Sequence, residues 1–174
     1  MKILDFGSLN YDYVYGVEHM VAPGETISSL DMEIFCGGKG LNQAIAAARA
    51  GAEVFMAGMV GKDGQLFMDI CKENGIDSSF IRQVPGKSGH AIIQLDQNGQ
   101  NSILLYGGSN RQMTKEYVDE VLNNFEKGDL LLLQNEINLL SYIIDKAYEK
   151  GMRILLNPSP YDEKLAACDL TKVS

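Results

Sequence analysis

Cys36-Gly37-Gly38-Lys39-Gly40-Leu41-Asn42-Gln43, running on through Ala44 to Ala50 and stopped by Gly51, is the stretch around which the rest of the chain is organised. Glycine takes dihedrals and close approaches that a Cβ forbids, so glycines on both sides of Lys39 imply a bare, bent main chain. The alanine-rich run over 41–50 is a strong helix former, and Gly51 is placed to end it. Its small side chains permit close packing against a sheet. The stretch reads either as a strand-to-helix turn that approaches a ligand or as a tight turn with an exposed lysine, and its surroundings decide between the two.

Outward from this turn, strand and helix patterns alternate. Residues 2–7 (KILDFG) form a short apolar run that suits a buried strand, and Val54 to Met59 reads as another. Gln65 to Asn74 is amphipathic, with Leu66, Phe67 and Ile70 inward and Gly75 beyond its end. Thr114 caps a helix over 114–123, Asp129 to Leu133 (DLLLL) is a solid apolar strand, and Leu139 to Lys150 and Arg153 to Leu156 add a helix and a strand. This is the pattern of an α/β domain with a parallel sheet. One segment differs in kind. Residues 89–106 (GHAIIQLDQNGQNSILLY) carry two β-rich runs about an Asn98-Gly99 turn, which predicts an antiparallel hairpin projecting from the main sheet. With the extended polar segment that precedes Cys36, it is expected to cover the site as a lid.

Composition excludes several functions. A chain of 174 residues with a net charge of −8 and only fifteen scattered Lys and Arg lacks the clustered cations that a nucleic-acid surface needs. Cys36, Cys71 and Cys168 have no CxxC or paired-histidine spacing, so they read as free thiols in a reducing compartment and not as a metal site. No apolar run reaches about 18 residues and the start is strand-like, so the expected location is the cytoplasm, away from membrane. Gly58 to Gly64 (GMVGKDG) lacks GxxxxGK[ST] spacing, and no GxGxxG follows the first strand, which argues against a P-loop and a dinucleotide fold.

Polar residues recur where strands end: Asn10 and Asp12 after the first, Asn135 and Glu136 after DLLLL, and Asn157 after the last. Asn10 and Asp12, two apart in extended chain, would face one space, although the same residue types also make turns. In open α/β sheets ligands lie outside the carboxyl ends of the strands. Carboxylates, carboxamides and a lysine around close-approaching backbone make a hydrogen-bonding wall suited to a small sugar or polyol.

Taken in order, GSLNYD (7–12), PGET (23–26), CGGKGLNQAIAAARAG (36–51), GMVGKDG (58–64), NGID (74–77), GGSN (107–110), LLLQNE (131–136) and LNPSP (156–160) resemble the amino-terminal part of a ribokinase-type, PfkB-like carbohydrate kinase. The resemblance covers nearly the whole chain, and GGKGxNQ is similar to ribokinases in particular. It implies a three-layer α/β/α sandwich, incomplete over 1–174, with lid strands around 13–35 and 89–106. It implies transfer of the ATP γ-phosphate to the primary hydroxyl of ribose or a related sugar. By resemblance, Asn10, Asp12, Gly38, Lys39, Asn42 and Glu136 hold sugar hydroxyls, Ala91 and Ile93 supply apolar contact from the lid, and Gly37 and Gly40 shape the turn. The catalytic base, the anion hole and the residues for ATP and Mg are expected beyond Ser174, which would leave these residues alone inactive and prone to instability. Pairing of lids into a homodimer is expected. A non-catalytic sugar-binding or dimerising module is the alternative. Two departures, Leu41 and Ser159 where ribokinases commonly carry alanine, leave the sugar open.

Overall fold

The alternation seen in the sequence becomes, in a computed structural model that describes the backbone of residues 1–174 and every side chain except that of Lys164, a succession of strands and helices. From the amino end these are β1 (Ile3–Phe6), β2 (Asn10–Val17), β3 (Asp31–Gly37), α1 (Lys39–Arg49), β4 (Val54–Val60), α2 (Gln65–Glu73) and β5 (Asp77–Gln83). Then follow β6 (Gly89–Asp96), β7 (Asn101–Tyr106), α3 (Lys115–Leu122), β8 (Leu130–Gln134), α4 (Leu140–Glu149) and β9 (Arg153–Asn157), with 3-10 turns at Gly108–Arg111, Glu163–Ala167 and Leu170–Lys172.

The main sheet is parallel, in the order β5-β4-β1-β8-β9. Helices cover both faces, so its central strands are apolar on both sides. Leu4, Phe6, Leu131 and Leu133 pack with Tyr117, Val118, Ile143 and Ile144 from α3 and α4. Ile3, Val54 and Met56 pack with Leu41 and Ala44 of α1 and with Phe67 and Cys71 of α2. Burial of each such Leu, Ile or Phe contributes about 1.5–3 kcal/mol, and these two cores hold the layers together. Thr114 caps α3 as expected, its hydroxyl accepting from the Tyr117 amide at 3.2 Å.

The second sheet has the order β3-β2-β6-β7. Its hairpin is β6–β7, and its remaining strands are β2 and β3, joined by residues 18–30. The turn alternative for Asn10 and Asp12 is not realised, because both lie in β2, where they pair with Gly89 and Ala91 of β6. One strand, β5, has no counterpart in the sequence reading. It is an edge strand whose sequence DSSFIRQ has partly exposed, polar positions, and it presents no apolar run to find.

Two glycine positions join the layers. A Cβ on Gly40 would stand 2.5 Å from the Ser8 amide nitrogen, and one on Gly7 would stand 2.5 Å from the Gly40 Cα. Helix α1 can therefore begin directly against the end of β1 only because both lack side chains. Gly38 precedes it with φ 92°, the left-handed region that favours glycine. Among the described residues, no helix is long and apolar enough to cross a membrane.

Candidate functional site

The carboxyl ends of β1 and β8, the start of α1 and one face of the small sheet enclose a cleft of about 410 Å³. Its floor comes from the turn into α1, with Gly38, Lys39 and Asn42, and from Glu136, just beyond β8. Asn10 and Asp12 of β2 form one wall. Ala91 and Ile93 of β6, with Ile103 and Leu105 of β7, form an apolar wall, and Pro160 stands at the rim. All eight residues assigned to the site from the sequence line this one space. Period-two alternation explains why: Asp12, Ala91 and Leu105 are directly paired across three strands, so their side chains share a face.

Glu136 is 4% exposed and is held from three directions. Its Oε2 accepts from the Ser8 hydroxyl at 2.5 Å and from the Lys39 amide at 3.2 Å, while Oε1 accepts from Lys39 Nζ at 2.7 Å. Helix α1 has no side-chain cap of its own, its capping residue being a glycine. A carboxylate nearly a hundred residues away in sequence therefore takes that role, satisfying an orphan amide at the positive end of the helix dipole. Ser8 adds to the junction, as its hydroxyl accepts from the Gly40 amide at 3.3 Å and its carbonyl from the Leu41 amide at 3.1 Å.

Asp12 is different. Its carboxylate receives no hydrogen bond among the described residues, and partial burial, then the charge of Glu136, raise its pKa above the usual carboxylate value, with Lys39 pulling the other way. It is an open acceptor in a partly desolvated place. Cys36, close by, is no thiolate: burial, then Asp12, pushes its pKa up to about 11. The Lys39 ammonium bonds Glu136, and two carboxylates face the cleft, so its charge suits a neutral polyhydroxyl ligand better than a triphosphate. No group of three or more His, Cys, Asp or Glu among the described residues is arranged to hold a metal ion.

Residues singled out in the sequence but placed elsewhere are equally informative. Asn135 donates to the Pro160 carbonyl at 2.6 Å and to Asp162 at 3.0 Å, so it holds the loop that brings Pro160 to the rim. Asn157 accepts from the Ser159 amide and borders a separate groove, away from the cleft. Leu41 is fully buried in the core beneath α1, so its departure from alanine does not alter the cleft wall. Two residues with no role in the sequence reading prove to support the site: Ser8, described above, and Asn110, whose side chain bonds Asn10. Asn110 lies in the quoted GGSN segment, but nothing local shows that its partner is a hundred residues away.

The family model for pfkB family carbohydrate kinases matches residues 2–167. Ribokinase from Haemophilus influenzae is 35% identical over 173 residues, covering 94% of this chain and 56% of that protein. Deoxyribokinase from Salmonella typhi is 35% identical over 167 residues, covering 92% of this chain and 54% of that protein. Among solved structures, the crystal structure of ribokinase from Cryptococcus neoformans var. grubii serotype A in complex with ADP superposes with a TM-score of 0.87 at 32% identity, covering 99% of this chain and 56% of the other. The chain thus spans about half the length of the relatives it matches.

Proposed function

The chain belongs to the pfkB family of carbohydrate kinases, and on that premise we propose that its cleft is the sugar site of an enzyme that phosphorylates ribose or a closely related small sugar on its primary hydroxyl, at the expense of ATP. One observation carries the reading: open hydrogen-bonding groups, Asn10, Asp12 and Asn42, converge opposite an apolar wall in a space of sugar size. In this reading Asp12 accepts from sugar hydroxyls, Asn10 and Asn42 pair further hydroxyls, and Glu136 with Lys39 fixes the floor. Gly38 lets the main chain approach the ring, while Ala91 and Ile93 cover its less polar face. Buried groups left unpaired by a wrong ligand are costly, which gives selectivity.

Since two carboxylates make this cleft unfavourable for a triphosphate, the reading assigns ATP, Mg and the catalytic base to the part of the relatives' length that this chain does not span. The small sheet acts as the lid. Its outer face carries an exposed apolar row, Ile34, Ile92 and Leu104 about Tyr13, which supports a homodimer formed through lids. Three free cysteines and a negative net charge suit the cytoplasm, with neither nucleic acid nor membrane as partner.

The test is ATP-dependent phosphorylation by the full-length protein across a panel of pentoses and hexoses that includes ribose and 2-deoxyribose, with calorimetry of sugar binding alongside. Turnover of a pentose is expected. Sugar binding with no turnover would favour a non-catalytic sugar-binding or dimerising module, and neither binding nor turnover would overturn the site.

A further inference from the structure

We propose that Asn110 is a positioning residue that fixes which end of the Asn10 carboxamide faces the cleft, making Asn10 an obligate hydrogen-bond donor to the sugar. The inference rests on the sugar-site reading above.

Asn110 lies in the 3-10 turn at Gly108–Arg111 and is 1% exposed. Its Oδ1 accepts from the Leu9 amide at 3.1 Å, and its Nδ2 donates to the Leu9 carbonyl at 3.3 Å. Turning the side-chain amide over would set oxygen against oxygen and N–H against N–H, so the backbone of Leu9 permits one orientation. The remaining Nδ2 hydrogen points at Asn10 Oδ1, 2.7 Å away. Asn10 can meet that donor only with its oxygen. Its own NH2, which has no partner among the described residues, is thereby left for the cleft that Asn10 lines.

The surroundings hold this relay in place. Gly89 is paired with Asn10 across β2 and β6, and a Cβ there would come within 2.1 Å of Asn110 Nδ2 and 2.2 Å of Asn10 Oδ1. Glycine at 89 is what leaves room for the amide–amide contact. The turn itself is anchored to the main sheet by the Ser109 hydroxyl, which donates to the Met59 carbonyl at 2.8 Å. The consequence for recognition is a fixed alternation: Asp12 can only accept, and Asn10 can only donate. A sugar oxygen opposite Asn10 must therefore accept, and its hydroxyl hydrogen is free to turn towards a carboxylate.

Asn110→Asp keeps the size but replaces the donor with an acceptor, so the Asn10 amide must reverse and show its oxygen to the sugar. In the full-length protein the expected result is a sugar KM raised about 10- to 100-fold, with kcat and the KM for ATP within about twofold, because a donor is lost and two acceptors are opposed. The decisive arm is the same substitution in an Asn10→Ala background, where it should leave the sugar KM unchanged, since contributions made only through a shared partner do not add. If Asn110→Asp does not fold, Asn110→Ala, which removes the donor without adding charge, carries both arms with an expected rise of about three- to tenfold. A folded variant with an unaltered sugar KM, or an equal loss in the Asn10→Ala background, overturns the relay. An unaltered sugar KM in Asn10→Ala alone overturns the sugar-site reading instead.

Discussion

Asp5 offers the sharpest test of the energetics. It stands in β1, fully buried, on the face covered by α1. Its Oδ1 accepts from Gln134 Nε2 at 3.1 Å, yet its Oδ2 and the Gln134 Oε1 have no hydrogen-bond partner among the described residues. Burial raises its pKa well above the ordinary value of 3.8, with the Gln134 hydrogen bond opposing. The native state therefore holds a proton that the unfolded state releases, and stability falls as pH rises from the unfolded value towards the folded one. Asn in place of Asp5 keeps the shape, keeps an acceptor for Gln134, and supplies a permanent donor where Oδ2 has none. Asp5→Asn is expected to stabilise the full-length protein by about 1–3 kcal/mol at pH 7, the scale of relieving an unsatisfied buried polar group, a shift of roughly 2–12 °C in melting temperature. The gain should shrink to a small fraction of that near pH 3, where the unfolded carboxyl is also largely protonated. Denaturant or thermal melts of both proteins at several pH values make the comparison, and their difference removes the titration of every other group. A variant less stable than the parent at pH 7, or a gain independent of pH, would refute the reasoning.

Asp12→Ala should abolish measurable sugar binding in calorimetry while leaving the KM for ATP within about twofold; because the pKa of Asp12 is raised, sugar affinity in the parent should fall on acidification sooner than an ordinary carboxylate would dictate. Glu136→Gln should cost about 1–3 kcal/mol of stability in a denaturant titration as well as weakening the sugar, since it breaks the ion pair and disturbs the cap of α1. Gly7→Ala should destabilise by about 1–3 kcal/mol or prevent folding, because the new Cβ meets the Gly40 backbone; an unchanged melt would contradict the packing described. Leu104→Asp, on the outer face of the small sheet, should shift sedimentation from dimer to monomer if the lids pair.

What could be read from the sequence followed from local physics. DLLLL could hardly be anything but a strand buried on both faces, and the Asn98-Gly99 signal located the β6–β7 hairpin, because short-range chemistry determines both. The strand β5 was invisible because an edge strand buries too little to need an apolar run, and β2 was ambiguous because its first residues are also turn formers. The same limit applies within the site. Asn10, Asp12 and Lys39 could be found from strand ends and from the glycine turn. The pairing of Ser8 with Glu136 and of Asn110 with Asn10 could not, since each joins positions at least a hundred residues apart and leaves no periodicity behind.

The two carboxylates of the cleft therefore do different work, although a sequence reading treats them alike. Glu136 spends its oxygens on Ser8 and on both nitrogens of Lys39, which fixes the start of α1 and with it the position of Gly38 and Asn42. Little of its hydrogen-bonding capacity remains for a ligand. Asp12 has its capacity intact and stands in a partly desolvated wall, where an acceptor is worth more than it would be in water. In the proposed reading, preorganisation falls to the buried, largely occupied carboxylate and recognition to the open one. Loss of Glu136 should consequently appear in stability and binding together, whereas Asp12→Asn should change binding with the melting curve little altered.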